Sequence, residues 1–516
     1  MSTVNRADRL AGPAPLPSCG TIAGMSISYW LAGEAPDPRP PLRGAIRADI
    51  AIIGAGFTGL WTAIRLAETD PTMRIVVLEQ AFVGFGASGR NGGFCEASLV
   101  HGRANGERHF PTEVDRLERL GRDNLRELVA FVRDHRIECD LEETGVLAVA
   151  DRAHQVAEFR DWVDEANARG DALVFLDREA VRAEVHSPLW QAGVLAGPDD
   201  AVMLDPAKLC RGLARVATEL GIEIHEGTRT VSLERVPRGV RLRTVDWSAE
   251  RDEPFGLGRR LGLPFEPSEL GRSLTGSADD RPADGTVEAG HVVVATSAYS
   301  GWYPRLAGLF VPIYDYVLVS DPLTATQHEA IGWAGRQAMS DANNQFHYFR
   351  LTADDRILWG GYDAVYHVGN GVGPRYDRRP ETFERLAAQF VRAFPQLAGL
   401  GFPYRWGGAI DTTSTFMVTF GQTMGGRVTH ALGYTGLGVG ASRWAAGVVR
   451  DLILRPDSEL LELEFVRSTP FPFPPEPIRS VAVNLVRGAL DRADRNEGRR
   501  GLLLRALDAV GIGFDS

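Results

Sequence analysis

The chain of 516 residues contains little lysine, little cysteine and no long hydrophobic run. Lys208 is the only lysine among 56 basic residues, a bias so uniform that it indicates codon usage rather than a binding site. The cysteines form no Cys-x-x-Cys pair, which argues against a metal site and predicts a reducing compartment. They are Cys19, Cys95, Cys139 and Cys210. No apolar stretch reaches about 18 residues, and residues 1–27 lack a basic start followed by an apolar run, so we expect neither a membrane span nor a signal peptide.

The charge balance limits the partners. Acidic residues outnumber basic residues by 67 to 56, and the net charge of −11 argues against nucleic acid or an anionic membrane as a partner. Hydrophobic residues make up 44% of the chain, which is enough for large cores, and the length predicts two domains. These features predict a soluble, cytoplasmic protein, with its oligomeric state open.

A phosphate-binding loop follows the first apolar strand. Residues 48–59 read Ala-Asp-Ile-Ala-Ile-Ile-Gly-Ala-Gly-Phe-Thr-Gly. Gly54 makes the tight turn, Gly56 lets the backbone approach a pyrophosphate, and Gly59 lets the next helix pack closely on the strand. Glu79 comes twenty residues after Gly59 (79 − 59 = 20), at the end of a second strand, where an acid can bind ribose hydroxyls. The unit predicts a bound dinucleotide, contacted by Gly54, Gly56, Phe57, Thr58, Gly59, Glu79 and Gln80.

The next segment indicates which dinucleotide is bound. Residues 84–93 read Gly-Phe-Gly-Ala-Ser-Gly-Arg-Asn-Gly-Gly. NAD does not require so many small residues here, whereas a flavin does, because the chain must follow the pyrophosphate and pass close to the isoalloxazine. We therefore predict FAD. Its expected contacts here are Gly86, Ala87, Ser88, Asn91, Gly92 and Gly93.

Together these motifs resemble the D-amino-acid oxidase, glycine oxidase and sarcosine oxidase superfamily of FAD enzymes, and above all its gamma-glutamylputrescine oxidoreductase-like members. The resemblance is carried by residues 28–30, 54–59, 87–93, 204–206, 292–296, 348–350, 359–361, 405–408 and 433–440. It implies an α/β fold in which a Rossmann-like FAD-binding domain is interleaved with an α+β substrate domain built on a mixed, largely antiparallel sheet.

Domain boundaries follow from this resemblance and from shifts in composition. We expect an N-terminal arm at 1–45, an FAD-binding domain at 46–105, 196–300 and 405–456, a substrate domain at 106–195 and 301–404, and a C-terminal helical tail at 457–516. Residues 247–286 are rich in Gly, Pro and charge, which predicts a surface insertion or an active-site lid. The tail is amphipathic, which is typical of a helical pair packed on the body, a dimer helix or an interfacial helix.

A second glycine loop, residues 433–440, precedes a helix predicted at 441–454. In the resembling family this loop meets the pyrimidine edge of the flavin, where a positive helix end stabilises negative charge. A plain turn that caps a buried helix is the alternative. The cofactor contacts predicted here are Gly433, Tyr434, Thr435, Gly436, Gly438 and Val439. Val231, Ala295 and Thr296, on strands of the FAD domain, complete the predicted set.

Substrate-facing residues are predicted from the strands that cover the flavin in the family. Our catalytic candidates are Arg350, Tyr348 and Tyr316. Arg350 is a candidate for pairing with a substrate carboxylate or phosphonate through two parallel hydrogen bonds, or for a structural salt bridge. Tyr316 shares one strand face with Tyr314, and that face is either pocket or core. His347 is either a base or, more commonly for a lone histidine, a structural residue.

The resemblance implies oxidation of a primary or secondary amine to an imine by hydride transfer to flavin N5, followed by hydrolysis to an aldehyde or ketone. A gamma-glutamylputrescine-like amine is favoured. The alternatives are an oxidoreductase for an amino acid or aminophosphonate held by Arg350, and a flavin-binding subunit that needs a partner for activity.

Two departures from the family affect the cofactor and the oxidant. The positions that attach FAD covalently in some members hold no cysteine or histidine here, which predicts non-covalent FAD. Residues 296–310 contain no lysine, whereas sarcosine oxidase-like members use one to activate oxygen. The electron acceptor is therefore either oxygen or another molecule.

Overall fold

A computed structural model describes residues 28–32, 38–248, 282–361 and 363–509. Most of the predicted insertion at 247–286, with its alternative role as a lid, lies outside the described residues. So do most of the predicted arm at 1–45, Cys19, and the last residues of the predicted tail.

In the described part of the chain, the first sheet has eight strands and is parallel at its centre. Strands are numbered in chain order, and those of this sheet are β1 (Gly44–Ile53), β2 (Ile75–Leu78), β8 (Glu223–His225), β9 (Thr228–Val236), β10 (Gly239–Asp246), β11 (Gly285–Val294), β18 (Thr419–Thr423) and β19 (Val428–Leu432). The parallel order is β19-β11-β1-β2-β8, and β18 pairs antiparallel with β19. The antiparallel pair β9–β10 attaches to the start of β11.

The second sheet has nine strands among the described residues and is antiparallel except for the pair β4–β13. Its strands are β4 (Val146–Ala150), β5 (Val174–Leu176), β6 (Ala192–Ala196), β12 (Val311–Val319), β13 (Ala338–Asp341), β14 (His347–Leu351), β15 (Ile357–Gly361), β16 (Val365–Tyr366) and β17 (Tyr404–Thr412). A short antiparallel pair, β3 (Phe94–Glu96) and β7 (Ala201–Met203), lies outside both sheets.

Helices cover both sheets. They are α1 (Phe57–Thr69), α2 (Arg103–His109), α3 (Val114–Asp134), α4 (Gln155–Ala168), α5 (Arg178–Glu184), α6 (Pro206–Glu219), α7 (Ala325–Ile331), α8 (Pro380–Ala393), α9 (Gly438–Leu454), α10 (Glu464–Arg467), α11 (Ile478–Arg495) and α12 (Leu502–Ala509). In the part of the chain that the structure describes, no helix is long and apolar enough to cross a bilayer.

Sequence determines the main helices locally. Asp205 caps α6 by accepting the N–H of Lys208, and Pro206 occupies the first turn, where its missing N–H costs nothing. Helix α3 buries Leu117, Gly121, Leu125 and Leu128 at three- and four-residue steps, as its amphipathic pattern predicts. The large core of the first sheet therefore forms between its strands and α1, α3, α6 and α9.

The mixed α/β fold and the largely antiparallel second sheet are confirmed. The domain division stays a prediction, with one difference in strand membership. Strand β17 pairs with β12 along its length, so residues 405–412, which we assigned to the FAD-binding domain, hydrogen-bond within the second sheet. Gly407 fits opposite Tyr316 of β12, because a Cβ on Gly407 would lie 2.7 Å from the ring of Tyr316.

Candidate active site

The first glycine loop joins β1 to α1 with almost no free space. Gly54 has φ +106°, and a Cβ added there would lie 2.5 Å from the carbonyl oxygen of Ala295. A Cβ added at Gly59 would lie 1.9 Å from the carbonyl oxygen of Gly54. Both positions therefore require glycine, and the first N–H groups of α1, which have no partner within the helix, are held at the loop. Backbone N–H groups at a helix start favour a bound phosphate.

Glu79 lies at the end of β2, as predicted. Its two carboxylate oxygens accept the backbone N–H groups of Ala55 and Ala81 at 2.8 and 2.9 Å. Burial raises the pKa of Glu79 to about 7, although these hydrogen bonds oppose the shift. Its side chain and that of Gln80 line the cavity described below, in the place where ribose hydroxyls are expected.

Side chains hold the segment 84–93 against the first loop. Ser88 Oγ accepts the N–H of Phe57 at 3.0 Å, so the segment crosses the start of α1. The amide of Asn91 donates to the carbonyls of Ala87 and Ser88, and its oxygen accepts the N–H of Gly93. Contacts within the protein therefore hold the segment in place.

The described part of the N-terminal arm covers the same segment. Ser28 Oγ donates to the carbonyl of Gly89 at 2.6 Å, and Trp30 Nε1 donates to the carbonyl of Asn91 at 2.8 Å. Both side chains are buried. The contact explains why these two residues belong to the pattern that resembles the family.

The second glycine loop leads directly into α9, which begins at Gly438, earlier than the predicted Ala441. Gly433 and Gly436 have φ +89° and +105°, and Thr435 has φ +52°, which is unusual for a residue with a branched Cβ. Asp411 Oδ2 accepts the N–H of Gly433 at 2.6 Å. The ring Nε2 of His101 lies 2.6 Å from the carbonyl oxygen of Thr435. These contacts hold Thr435 in a conformation that it rarely adopts.

The two glycine loops touch each other. Thr58 in the first turn of α1 donates from Oγ1 to the hydroxyl of Tyr434 at 2.9 Å. Both helix starts therefore border one cavity, whose volume is about 1340 Å³. Its wall includes the predicted residues Gly54, Gly56, Phe57, Thr58, Glu79, Gln80, Gly86, Ala87, Ser88, Asn91, Gly92, Ala295, Thr296, Tyr434, Thr435, Gly436, Gly438 and Val439.

Four predicted cofactor residues do not line this cavity. Gly59, Gly93 and Gly433 contribute through close packing, since added Cβ atoms would lie 1.9 to 2.2 Å from neighbouring atoms. Val231 does not line the cavity, and the start of β9, Thr228 to Thr230, forms the wall there. The N–H of Thr228 donates to the carbonyl of Glu79, which brings that part of β9 to the end of β2.

Tyr348 lies at the cavity wall, as predicted, and it is paired with an acid that sequence reasoning missed. Its hydroxyl donates to Oδ2 of Asp315 at 2.5 Å. The two residues lie on β14 and β12, with β15 between them. Gly360 of β15 lets the ring cross, since a Cβ there would lie 2.4 Å from the ring carbon Cζ of Tyr348. A Cβ on Gly92 would lie 2.7 Å from the same ring, so the pair adjoins the early glycine segment.

Asp315 is one of several acids of this wall whose pKa is raised. Burial raises its pKa to about 6, while hydrogen bonds from Tyr348 and from backbone N–H groups oppose the shift. Burial and the neighbouring carboxylate also raise the pKa of Tyr348. The signal was present in the sequence as a single acid within the apolar strand Tyr-Asp-Tyr-Val-Leu-Val, and alternation along β12 places it on the cavity side.

The same alternation contradicts the prediction for Tyr316. Its hydroxyl donates to the carbonyl of Tyr376 at 2.8 Å, its ring contacts Phe383 of α8, and the side chain is fully buried outside the cavity wall. The face that Tyr314 and Tyr316 share therefore belongs to the core of the second sheet, and only Tyr314 reaches the wall.

The structure also contradicts the predicted role of Arg350. It lies on the same face of β14 as Tyr348, but beyond the edge of the cavity, where it is 1% exposed. Its Nη1 donates to the carbonyls of Leu204 and Gly93 at 2.9 and 3.3 Å. Burial lowers its pKa to about 10. Arg350 therefore ties β14 to the chain at Gly93 and Leu204 and does not line the cavity.

His347 is a buried structural residue in this fold. Its Nδ1 lies 2.6 Å from Oδ2 of Asp341, its Nε2 lies 3.2 Å from Oε1 of Gln389, and it does not line the cavity. The ring stacks near Trp359, which belongs to the core of the second sheet. The three described cysteines, Cys95, Cys139 and Cys210, are buried, free and outside the cavity wall.

The geometry fits FAD. One helix start and an acid at the end of β2 suit the phosphates and ribose of a dinucleotide, and a second helix start suits a ring that gains negative charge. Neither Gly54 nor Gly56 has a Cβ, so the backbone can turn sharply and approach a ligand closely at these two positions. A Cβ on Gly56 would lie 2.8 Å from Ser88 Oγ.

Known proteins share this sequence pattern and this fold. A family profile described as FAD dependent oxidoreductase (DAO) matches residues 49–452. The chain is 28% identical to gamma-glutamylputrescine oxidoreductase from Escherichia coli (strain K12) over 465 residues, which cover 87% of this chain and 93% of that protein. Its fold is similar to that of glycine oxidase from Geobacillus kaustophilus, with a TM-score of 0.62, 17% identity and coverage of 82% and 99% of the two chains. L-proline dehydrogenase from P. horikoshii gives a TM-score of 0.59 at 17% identity, with 82% and 96% covered.

The two solved structures support the fold alone, because their identity to this chain is low. The family match extends over most of the chain and includes both glycine loops. The chain therefore belongs to the DAO family of FAD-dependent oxidoreductases.

Proposed function

We propose that the protein oxidises a primary or secondary amine to an imine, which water then hydrolyses to an aldehyde or ketone. The observation that carries this proposal is the Asp315–Tyr348 pair on the cavity wall. A carboxylate in a largely apolar cavity suits a substrate whose nitrogen is or becomes positive. Arg350, which was the predicted anchor for an anionic substrate, is already occupied by backbone carbonyls.

Asp315 would act through electrostatics. FAD, when bound, accepts the hydride that leaves the carbon next to nitrogen. As that C–H bond breaks, the nitrogen lone pair forms the C=N bond and positive charge develops on nitrogen. The carboxylate of Asp315 stabilises this charge and accepts an N–H of the amine, while Tyr348 fixes the orientation of the carboxylate. A preorganised charge of this kind changes rates by about 10²- to 10³-fold.

The cofactor would be held by the residues of the two glycine loops. We assign the phosphates to the N–H groups at the start of α1, the ribose to Glu79, and the flavin ring to the segment around Gly92 and the start of α9. The positive end of α9 favours negative charge on the ring. The absence of Cys95, Cys139 and Cys210 from the cavity wall supports non-covalent FAD.

The relatives favour an amine. The E. coli relative is named for gamma-glutamylputrescine, and we propose an amine of that type as the substrate. The free, buried cysteines are compatible with the cytoplasmic location that we propose. Oxygen and an alternative electron acceptor are both compatible with this site.

Anaerobic mixing tests the proposal. Polyamines, gamma-glutamylated amines, amino acids and aminophosphonates are added in turn to the purified yellow protein, and flavin absorbance is followed near its visible maximum. We expect an amine to bleach the flavin. Bleaching by an aminophosphonate or an α-amino acid alone would contradict the assignment of the substrate class, and bleaching only after a partner protein is added would indicate an incomplete subunit.

A further inference from the structure

The C-terminal helix α11 forms part of the cavity wall, although it follows the part of the chain that matches the family. The residues that α11 contributes lie on one face, at steps of one, three or four: Arg479, Ala482, Val483, Val486, Arg487 and Leu490. The wall on this side is therefore apolar, with two guanidinium groups set into it. The same cavity carries Asp315 and both glycine loops.

Carboxylates hold both ends of α11 to loops of the second sheet. Before its first turn, Oε1 of Glu476 accepts the hydroxyl of Tyr366 at 2.6 Å and the N–H of Gly369 at 2.9 Å. Near its last turn, Asp494 accepts the backbone N–H groups of Asn344 and Gln345 at 2.9 and 3.1 Å. The helix is thus fixed across the cavity at two separate points.

The two arginines on this face of α11 differ from three other arginines of the wall. Arg90, Arg103 and Arg122 also line the cavity, but each is paired with a carboxylate at 2.5 to 2.7 Å. Arg487 is partly buried and has no carboxylate partner among the described residues. Arg479 donates through Nε to the carbonyl of Pro474 at 2.8 Å, and within the described chain it also lacks a carboxylate partner.

We propose that Arg487, assisted by Arg479, binds a carboxylate at the end of the substrate that is remote from the reacting nitrogen. A guanidinium group matches a carboxylate with two parallel hydrogen bonds, and partial burial in an apolar wall strengthens the interaction. The substrate class is then an amine that carries a terminal carboxylate, with its nitrogen at Asp315 and its carboxylate at α11. This inference rests on the proposed amine oxidation and specifies its substrate.

Matched substrates and variants test the assignment. The probes are γ-glutamylputrescine and 6-aminohexanoate, each compared with its carboxamide, and the readout is the rate of anaerobic flavin reduction against substrate concentration. Arg487→Gln should raise the apparent Kd of the carboxylates about 10- to 100-fold, with the limiting rate little changed, because the charge pair lies away from the reacting bond. The carboxamides should bind equally to the variant and to the wild type. Arg487→Lys should lose part of the affinity for the carboxylates.

Arg492→Gln is the control, because Arg492 is an exposed arginine of the same helix that does not line the cavity. It should leave every parameter unchanged, and flavin content should be normal in all variants. Reduction by these amines with equal affinity for carboxylate and carboxamide, and no effect of Arg487→Gln, would overturn this inference and leave amine oxidation standing. If no amine reduces the wild-type flavin, the proposed function fails and this inference fails with it.

Discussion

At the scale of single residues, burial decides which charged groups take part in chemistry. Asp315 accepts the hydroxyl of Tyr348 at Oδ2 and the backbone N–H of Tyr316 at Oδ1, and it faces the cavity, where the remaining lone pairs of its carboxylate are open to a ligand. Arg350 lies on β14, two strands away from Asp315 in the sheet, and its Nη1 donates to main-chain carbonyls. The two residues are close in the fold, but only Asp315 lines the cavity, because Arg350 is buried against the backbone and its Nη1 is already satisfied there.

Arg350→Leu should therefore lower stability and leave substrate binding intact. The change leaves the carbonyls of Gly93 and Leu204 without their donor, which costs about 1 to 3 kcal/mol of unfolding free energy. Denaturant unfolding and flavin reduction of the same variant measure the two effects. Arg350→Lys is the matched control, because it keeps a charge but loses the planar group. A normal stability with a weakened apparent Kd for an anionic substrate would restore Arg350 to the site.

At the scale of elements, much of the first sheet is predictable from sequence because its signals are local. The glycine spacing of 54–59, the apolar run of β1 and the Asp-Pro start of α6 each act within a few residues, and the structure has all three. The helical face of α3 is equally local. Local patterns of this kind give reliable predictions of element type and position.

Pairings between distant strands could not be predicted in the same way. Alternation shows that Tyr314 and Tyr316 share a face of β12, but only the packing of α8 shows that this face is core. The pairing of β17 with β12 joins residues about a hundred positions apart, and no short pattern encodes it. The Tyr348–Asp315 pair depends on the same assembly, because Gly360 of an intervening strand makes room for the ring.

The first glycine loop allows a test that separates cofactor binding from folding. A Cβ on Gly56 would meet only Ser88 Oγ within the protein, at 2.8 Å, so Gly56→Ala combined with Ser88→Ala removes that contact. The double variant should fold but contain much less FAD than Ser88→Ala alone, because the methyl group occupies the space of a phosphate. Flavin absorbance relative to protein and circular dichroism provide the measurement.

Gly447→Ala is the control for the loop variant. Gly447 lies within α9, where an added Cβ meets no atom within 4 Å, so alanine should be neutral or slightly stabilising. Full FAD occupancy in the Gly56→Ala, Ser88→Ala double variant would show that this loop does not contact the cofactor.

At the scale of the whole molecule, the cavity combines parts that are far apart in the sequence. The parallel sheet supplies two helix starts, the antiparallel sheet supplies Asp315 and Tyr348, and the C-terminal tail supplies α11. A cofactor between the two sheets is in reach of all three. The walls are largely apolar, which strengthens the charge interactions inside the cavity.

Denaturation should release all the flavin from this assembly. The described cysteines lie outside the cavity wall, and His101 is the only histidine within the described part of that wall. Burial lowers the pKa of His101 to about 4, and its Nε2 is engaged by Thr435. Acid precipitation followed by absorbance of the supernatant measures the release. Yellow colour in the washed precipitate would reveal a covalent bond, and its loss in His101→Ala would locate that bond.

The pH dependence of flavin reduction tests the central claim most directly. The ratio of kcat/KM for the wild type to that for Asp315→Asn is measured with one amine between pH 5 and 8, so that ionisation of the substrate cancels. The pKa of Asp315 is raised to about 6, so its carboxyl is ionised and effective above that pH and protonated below it. We predict a ratio of about 100 at high pH, falling towards one as the pH drops below about 6. A ratio near 1 at every pH, or a larger ratio that does not change with pH, would contradict the assignment of amine oxidation to this carboxylate.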